Sequence, residues 1–320
     1  MSTLTVGVDL GGTKIQAAAV RSRKVAGTFR VATPLTGAFD VAAAIVEAAT
    51  EAVAEAGADA GDVTGVGIGA PGTIDTAAGT VSTSPNLPGF QGTEPIALGE
   101  MVSKGLGGAP VKLDNDVRVA ILGEWKRGAG RGYRNLLGVW VGTGVGGGLI
   151  LDGRLFQGQG AAGEIGHTIV KPGGRVCSDG RKGHLEAYAG RAQMEAEARR
   201  RVKRGKKTDL FEIMEREGKT RLASGVWAKA LEKGDKVAHE LVDEAAWALA
   251  TGLASVQNLL SLEAIIVGGG LGDRLGAPFV ERIAKEMAPL LFVADEPPKM
   301  LTTEHGDLSG AVGGAVLCGG

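Results

Sequence analysis

The chain has 320 residues, and its 35 Lys and Arg nearly balance 36 Asp and Glu, for a formal net charge of −1. This length is sufficient for two domains, and the charge argues against a protein that coats nucleic acid or an anionic membrane. Cys177 and Cys318 are far apart, which indicates no disulfide framework, and the amino-terminal residues lack the pattern of a signal peptide. We therefore expect a cytoplasmic protein that binds neither nucleic acid nor membrane.

The predicted elements alternate between strands and helices, which is typical of an α/β fold. Short apolar runs predict strands at Leu4–Leu10, Lys14–Arg21, Lys24–Val31, Val63–Ala70, Val111–Leu113, Leu137–Val141, Val145–Leu151, Ala264–Val267 and Met300–Thr303. Helical spacing predicts helices at Phe39–Glu55, Val117–Lys126, Glu186–Lys203, Asp209–Glu217, Ala223–Leu231, Lys236–Leu260, Pro278–Leu290 and Ser309–Leu317. Residues 245–262 carry no charge but include several polar residues, so we interpret them as buried helix and not as a membrane span.

Glycine is the outlier of the composition, with 54 residues, more than twice the average share of about 7%. The glycines cluster at the ends of apolar runs, where they let a backbone turn tightly or approach a ligand closely. Shifting the sequence by 131 residues places Val6–Gly11 over Leu137–Gly142 without a gap. This repeat predicts two related domains, and chance similarity between short Gly/Val runs is the alternative.

Two glycine turns of this repeat suit the binding of phosphate. The first follows a predicted strand and supplies a carboxylate, backbone N–H groups, a hydroxyl and an ammonium group, from Asp9, Gly11, Gly12, Thr13 and Lys14. A strand follows it, so it is neither a Walker A loop nor a Rossmann fingerprint. A plain hairpin turn explains one Gly-Gly pair equally well, but Thr143 and Gly144 form a second copy. Two such turns could face each other across a cleft and hold one polyphosphate chain.

Two further motifs follow predicted strands. Gly268, Gly269 and Gly270 could let an adenine or ribose lie against the backbone, although a strand-to-helix turn explains them as well. Asn115 and Asp116 lie at the start of a predicted helix, where a carboxylate could take a proton from a hydroxyl that Asn115 positions. The alternative is a helix N-cap, for which Asp114 or Asp116 is suited.

Residues 163–186 contain a dense polar cluster that includes two of the four histidines and one of the two cysteines. Its carboxylates and histidine, close to glycine-rich turns, suit recognition of a polyhydroxyl ligand. His, Cys and Asp side chains can equally bind zinc. The residues alone leave both roles open.

In this order the motifs resemble the ROK family of sugar kinases, which includes bacterial glucokinases. The segments that carry the resemblance are DLGGTK, GAPGTID, SPNLPGF, LDNDV, GTGVGGG, AGEIGH, GHLEAYAG and IIVGGG. The resemblance implies two actin-like, hexokinase-like (ribonuclease H-like) α/β domains that flank a nucleotide and sugar cleft. We expect the small domain to span residues 1–115 and 305–320, and the large one to span residues 116–304. The family also implies a homo-oligomer, either a dimer or a tetramer.

The resemblance further implies an ATP- and Mg²⁺-dependent kinase in which Asp116 removes the proton from the 6-hydroxyl of a hexose. Sugar hydroxyls would be held by Asn115, Glu164, His167 and Glu186, with Gly72 and Asn86 in the sugar-side loops. The nucleotide would be bound by Gly11, Gly12, Thr13, Lys14, Thr143, Gly144, Gly268, Gly269 and Gly270, with Asp9 near the magnesium ion. Glucose is the expected substrate, and N-acetylmannosamine, N-acetylglucosamine, mannose, fructose and allose are alternatives. A non-catalytic sugar sensor is the alternative from another class; the predicted first strand begins near Leu4, which leaves no room for a DNA-binding domain.

One motif departs from the family. Many ROK proteins bind zinc through one His and three Cys in the pattern CxCGxxGCxE, whereas this chain has CxDGxxGHxE. The site would consist of His167, Cys177, Asp179 and His184, and its harder donors predict weaker zinc binding. The alternative is a metal-free loop in which Asp179 pairs with Arg181, Lys182 or protonated His184.

The segment Arg199–Lys207 has seven basic residues in nine. Because no aromatic residues are interleaved with these charges, we interpret the segment as a solvated helix end and not as a nucleic-acid patch. It is also the one feature that would favour polyphosphate over ATP as phosphoryl donor.

Overall fold

The computed structural model describes residues 3–84, 87–92 and 94–319. Asn86, which we expected in a sugar-side loop, lies outside these residues. The chain divides into a first unit of residues 1–132 and 307–320 and a second unit of residues 133–306.

The elements of the described residues are numbered in chain order. The strands are β1 (Leu4–Leu10), β2 (Lys14–Arg21), β3 (Lys24–Ala32), β4 (Val63–Ala70), β5 (Thr73–Asp75), β6 (Thr80–Thr83), β7 (Val111–Asn115), β8 (Leu136–Val141), β9 (Val145–Leu151), β10 (Arg154–Phe156), β11 (Ala264–Gly268) and β12 (Lys299–Thr302). The helices are α1 (Ala38–Glu55), α2 (Leu98–Gly105), α3 (Asp116–Arg127), α4 (Glu186–Ala189), α5 (Arg191–Lys203), α6 (Leu210–Arg216), α7 (Ser224–Glu232), α8 (Lys236–Leu260), α9 (Gly269–Met287) and α10 (Ser309–Leu317). Short 3₁₀ helices span Ala60–Asp62, Ile165–His167, Ala288–Leu290 and Gly306–Leu308.

The two units contain five-stranded sheets with the same topology. The strand order is β3-β2-β1-β4-β7 in the first unit and β10-β9-β8-β11-β12 in the second. In each sheet the first three strands in sequence pair antiparallel, and the later two join in parallel. The structure therefore confirms the two related α/β domains that the 131-residue repeat predicts.

Each unit has its own hydrophobic core. In the first, buried aliphatic side chains of β1, β2 and β4 pack with α1, and Ile45 is fully buried. In the second, β8 and β11 pack with the long helix α8 around Trp227, which is also fully buried. Residues 245–260 are part of α8 and contribute to this core, as predicted. No helix of the described residues has the length and apolar character that a membrane crossing requires.

Glycines let α10 pack backbone against backbone in the first unit. A Cβ atom on Gly7 of β1 would lie 1.7 Å from the carbonyl oxygen of Ala311, and one on Gly67 of β4 would lie 1.9 Å from that of Gly314. On the other side, a Cβ atom on Gly313 would lie 1.8 Å from the carbonyl oxygen of Val119 in α3. Because α3 packs on α10 in this way, α3 belongs to the first unit. From the sequence we had expected the domain boundary after residue 115, which would assign α3 to the large domain.

The structure differs from the predicted elements in three places. The predicted helix Glu186–Lys203 is two helices, α4 and α5, because Gly190 adopts an extended conformation between them. Helix α9 begins nine residues before the predicted start at Pro278, with a kink where Gly276 has φ +61°. The short elements β5, β6, β10 and α2 were not predicted, since segments of three to eight residues show little periodicity.

Candidate functional site

The first glycine turn joins β1 to β2 in the first unit. The N–H of Gly11 donates to the carbonyl of Lys14 across 2.9 Å, and the Thr33 hydroxyl donates to the carbonyl of Gly11 across 2.6 Å. Within the described part of the chain, the N–H groups of Gly12 and Thr13 donate no hydrogen bond. Such backbone donors, in a turn of fixed shape, can bind phosphate oxygens.

Lys14 contacts an acidic residue that lies almost three hundred positions later in the sequence. Its Nζ lies 3.0 Å from Oδ2 of Asp307, and Nη2 of Arg30 lies 3.3 Å from the same oxygen. Burial acts to raise the pKa of Asp307, but contacts with Lys14 and Arg30 outweigh burial and hold that pKa below its usual value. Asp307 therefore positions the ammonium group beside the first turn, a role that no local pattern in the sequence indicates.

Asp9 lies near the carboxyl end of β1, against the first turn of α10. A Cβ atom on Gly310 would lie 2.7 Å from Cγ of Asp9, so a glycine is required for this approach. Burial and repulsion from Asp116 raise the pKa of Asp9 to about 7, although Lys14 opposes the shift. A nearby cation would stabilise the charged form, and carboxylate oxygens are the hard ligands that Mg²⁺ prefers.

Asn115 and Asp116 lie where β7 ends and α3 begins. The N-cap is Asn115, and not Asp114 or Asp116, because its Oδ1 accepts hydrogen bonds from the N–H groups of Val117 (3.1 Å) and Arg118 (3.2 Å). The Asn115 side chain can therefore offer a ligand its Nδ2 donor. Asp116 is the half-buried first residue of α3, and its Oδ1 also accepts from the N–H of Val117, at 2.9 Å.

A buried ion pair supports this helix start. Nε of Arg118 lies 2.8 Å from Oδ1 of Asp114, and both side chains are nearly inaccessible to solvent. The same Oδ1 accepts the N–H of Asn115 across 2.7 Å. Asp114 and Arg118 thus fix the backbone from which the Asn115 and Asp116 side chains extend.

Gly72 turns the chain out of β4. Its φ is +107°, and a Cβ atom there would lie 2.0 Å from the carbonyl oxygen of Thr83. The N–H of Ser84, the residue after β6, donates to the carbonyl of Phe90 across 2.9 Å. Gly72 therefore lets the chain after β4 pass directly against the end of β6.

The second glycine turn joins β8 to β9 in the second unit. The N–H of Gly142 donates to the carbonyl of Gly144 across 2.9 Å, so this turn is one residue shorter than the first. Oε2 of Glu186 accepts the N–H of Val145 across 2.9 Å, and a Cβ atom on Gly144 would lie 2.3 Å from that oxygen. The second turn is thus built around a carboxylate that we had expected to bind sugar.

The other oxygen of Glu186 faces the polar cluster. Oε1 accepts a hydrogen bond from the Ser178 hydroxyl and lies 3.6 Å from Sγ of Cys177. Glu164 directly precedes the 3₁₀ helix Ile165–His167, and His167 is the last residue of that helix. Both side chains are exposed. A Cβ atom on Gly166 would lie 2.1 Å from the carbonyl oxygen of Val145, so this helix packs closely on β9. The three side chains of this unit that we expected to hold sugar hydroxyls are therefore gathered around the start of β9.

The turn Gly268–Gly270 lies beside the second glycine turn. Gly269 has φ +82°, and a Cβ atom on it would lie 2.8 Å from the backbone nitrogen of Val141. A Cβ atom on Gly270 would lie 3.5 Å from Oγ of Ser224. Within the second unit, the two motifs predicted to bind the nucleotide are therefore adjacent.

Arg191, the first residue of α5, connects these motifs and was not found by sequence reasoning. Its Nη2 donates to Oγ1 of Thr143 across 3.1 Å, and its Nη1 donates to Oγ of Ser224 across 2.8 Å. Burial lowers the pKa of Arg191, with Glu195 opposing the shift and Arg221 adding to it. Its only sequence signal is a position directly after Gly190, at the start of a helix.

His167, Cys177, Asp179 and His184 form a compact cluster. Their donor atoms all lie within 4.8 Å of one another. The two Nδ1 atoms are 3.4 Å apart, and Oδ2 of Asp179 lies 3.4 Å from Nδ1 of His167 and 3.3 Å from that of His184. A tetrahedral zinc ion with bonds of 2.0–2.1 Å to N and O separates its ligand atoms by about 3.3–3.4 Å. His167, Asp179 and His184 therefore have the donor separations of zinc ligands, and Sγ of Cys177 lies within 4.8 Å of their donor atoms.

The contacts of the metal-free alternative are present as well. Nη1 of Arg181 lies 3.0 Å from Oδ2 of Asp179, and the backbone N–H of Arg181 donates to Oδ1. Desolvation acts to raise the pKa of Asp179, but these bonds and the charges of His184 and His167 lower it to about 2. Asp179 is therefore ionised at neutral pH, as a metal ligand must be.

Three of the seven basic residues of Arg199–Lys207 form ion pairs with glutamates: Arg199, Arg200 and Arg201. Arg199 pairs with Glu195 at 2.6 Å, and Arg201 pairs with Glu240 at 2.8 Å and Glu244 at 2.6 Å. This arrangement agrees with the interpretation as a helix end in contact with solvent.

Comparison with known proteins agrees with these motifs. The model of the ROK family matches residues 5–320. The chain belongs to the ROK family. A glucokinase of Streptomyces coelicolor is 35% identical to this ROK protein over an alignment of 321 positions, which covers 98% of this chain and 97% of that enzyme. An N-acetylmannosamine kinase of Yersinia pseudotuberculosis is 30% identical over 311 residues, covering 97% of this chain and 96% of that kinase.

A solved structure of another ROK protein is also similar to this chain. The ROK family glucokinase from Streptomyces griseus, in complex with glucose and AMPPNP, superposes with a TM-score of 0.79 at 33% identity, with 98% of each chain covered. This ROK protein therefore has the actin-like, ribonuclease H-like α/β fold, as the motifs predicted.

Proposed function

We propose that this ROK protein transfers the γ-phosphoryl group of ATP to the 6-hydroxyl of a hexose, with glucose as the principal substrate. Its family and its glucokinase relatives make the chain a hexose kinase. The single observation that carries the proposed chemistry is the position of Asp116, a half-buried carboxylate at the amino end of α3. The residue roles that follow are part of the proposal.

Asp116 acts as the general base. The amino end of a helix stabilises a negative charge, which suits a carboxylate that accepts the proton of a substrate hydroxyl. Asn115 uses Oδ1 for the cap and therefore binds the sugar through its Nδ2 donor. The Asp114–Arg118 ion pair keeps both side chains in place.

The backbone turns supply most of the remaining transition-state stabilisation. Phosphoryl transfer requires donors around the phosphates and an in-line nucleophile more than covalent chemistry from the protein. Gly12 and Thr13 provide such donors in the first unit, and Thr143 and Gly144 provide them in the second. Mg²⁺ would neutralise charge on the phosphates, and Asp9 is the carboxylate suited to lie near it.

We further propose that the cluster of His167, Cys177, Asp179 and His184 binds zinc. The proposal rests on the match between the observed donor separations and a tetrahedral site. With Nδ1 of His167 directed at the metal, Nε2 becomes the ring atom that binds a sugar hydroxyl. Zinc would hold the ring in that orientation.

The test of the proposed kinase is a coupled assay of ADP release. Glucose, mannose, fructose, N-acetylglucosamine and N-acetylmannosamine are each offered with Mg-ATP, and glucose is also offered with polyphosphate. We expect turnover with glucose and ATP, and a loss of about 10²–10⁴-fold or more in kcat for Asp116→Ala. Glucose binding, measured by calorimetry, should survive that substitution.

The outcomes separate the alternatives. Turnover with N-acetylmannosamine in place of glucose would keep Asp116 as base and change the substrate, an alternative that the N-acetylmannosamine kinase relative favours. Glucose binding with no turnover for any donor would contradict the kinase and support a sugar sensor. We also propose a homo-oligomer, on family grounds, which light scattering after size-exclusion chromatography tests directly.

A further inference from the structure

Arg191 has an environment that differs from that of the other arginines on its helix. Arg199, Arg200 and Arg201 each pair with a glutamate. Arg191 forms no ion pair within the described residues, and its hydrogen-bond partners there are the neutral hydroxyls of Thr143 and Ser224. A partly buried cation whose hydrogen bonds go to neutral groups is unfavourable, so this environment is suited to an anionic ligand.

The guanidinium lies between two segments that both present backbone donors. On one side is the second glycine turn, where Thr143 accepts a hydrogen bond from Nη2. On the other side is the start of α9, where a Cβ atom on Gly270 would lie 3.7 Å from Nη1. The Arg191 guanidinium and the backbone of these two segments thus lie together in the second unit, where an anion could contact both.

Arg191 keeps donors for such a ligand. A guanidinium has five N–H groups, and the bonds to Ser224 and Thr143 use one on Nη1 and one on Nη2. The Thr143 and Ser224 hydroxyls fix the plane of the group without neutralising it. A fixed, planar fork of this kind matches two oxygens of a phosphate.

We propose that Arg191 binds the phosphate chain of the nucleotide between the second glycine turn and the turn Gly268–Gly270. This inference rests on the proposed function, because it takes ATP as the phosphoryl donor. It adds a side-chain cation to a site that the sequence described by its glycines and hydroxyls alone. It also assigns donor recognition in the second unit to one residue, and not to the basic segment Arg199–Lys207.

Calorimetric titration of ADP and of adenosine tests this proposal. We expect Arg191→Gln to weaken ADP binding by about 10- to 100-fold, the usual effect of losing a hydrogen bond to a charged group. Adenosine has no phosphate, so its affinity should change less than about two-fold. Arg191→Lys keeps the positive charge but loses the planar arrangement of donors, so its affinity for ADP should lie between those of the wild type and Arg191→Gln. Arg204→Gln removes an exposed arginine at the C-cap of the same helix and should bind ADP as the wild type does.

Two results would overturn the proposal. The first is unchanged ADP affinity in Arg191→Gln. The second is an equal loss of ADP and adenosine binding in both Arg191 variants, which would show that the residue only holds the site together. Wild-type protein that binds neither ligand would instead contradict the proposed function itself.

Discussion

Glu186 accepts the backbone N–H of Val145 across 2.9 Å, and this bond places a carboxylate directly behind the second glycine turn. The same side chain accepts from Ser178 at its other oxygen. Glu186 therefore couples the turn predicted to bind phosphate with the polar cluster predicted to face the sugar. The motif alone assigns Glu186 to the sugar, whereas the structure shows it in contact with both the second glycine turn and the polar cluster.

We predict that Glu186→Gln impairs the use of both substrates. Glutamine replaces one acceptor oxygen by a donor, so it cannot accept both the Val145 and the Ser178 hydrogen bonds. Because a hydrogen bond to a charged group contributes about 1.5–3 kcal/mol, kcat/KM should fall about ten-fold or more for ATP and for the sugar. Glu212→Gln, an exposed change in α6, is the control. A change confined to the sugar parameters would show that the turn does not depend on Glu186.

The raised pKa of Asp9 predicts a pH-dependent stability. Its pKa of about 7 in the folded protein lies above the usual aspartate pKa of 3.8, so the folded state binds this proton more tightly than the unfolded state does. Asp9 therefore lowers the free energy of unfolding increasingly as pH rises from about 4 to about 7. We therefore expect the Tm of Asp9→Asn, relative to the Tm of the wild type, to be higher at pH 8 than at pH 4.5 by on the order of several °C. A Tm difference that does not change with pH would contradict the assignment.

The close packing of α10 predicts a severe effect of one methyl group. Gly7→Ala places a Cβ atom 1.7 Å from the carbonyl oxygen of Ala311, and backbone must move to accept it. We expect a loss of about 3 kcal/mol or more in the free energy of unfolding, measured by urea denaturation. Gly61→Ala is the matched control, because a Cβ atom there meets nothing within 4 Å and should cost less than about 0.5 kcal/mol. Equal losses in the free energy of unfolding for the two substitutions would show that α10 can shift to accommodate the added methyl group at little cost.

The zinc proposal predicts a graded response to a chelator. We expect about one zinc per chain in wild-type protein by mass spectrometry, and none in Cys177→Ser/His184→Ala. The double variant Asp179→Cys/His184→Cys restores the thiolates of the family pattern and should keep zinc at chelator concentrations that strip the wild type. Wild-type protein that is purified with zinc in the medium and contains none would instead support the loop held by Asp179 and Arg181.

The repeat and the long elements were predictable because they depend on local patterns. Apolar runs specify β1 and β8, and glycines at their ends specify the turns, so the sequence predicts the central strands of both sheets. The N-cap shows the limit of this reasoning. Asp114, Asn115 and Asp116 are all suitable caps by type, and the choice of Asn115 depends on the ion pair that engages Asp114.

Contacts between distant segments could not be read from the sequence. Lys14 and Asp307 are almost a whole chain length apart, and neither lies in a pattern that indicates the other. Arg191 was missed for a similar reason, because its significance comes from Thr143 and Ser224, which reach it from separate loops. Motif reasoning finds residues that lie on the turns, whereas the side chains that hold the turns require coordinates.

The position of α10 in the sequence has a consequence for biosynthesis. The second unit is one continuous segment, so all of its strands and helices are synthesised before α10. The first unit, although its strands are made first, needs α10 to cover the glycine faces of β1 and β4. The domain that is translated first therefore cannot complete its fold until the last helix of the chain emerges, and until then its exposed sheet is a target for chaperones and proteases.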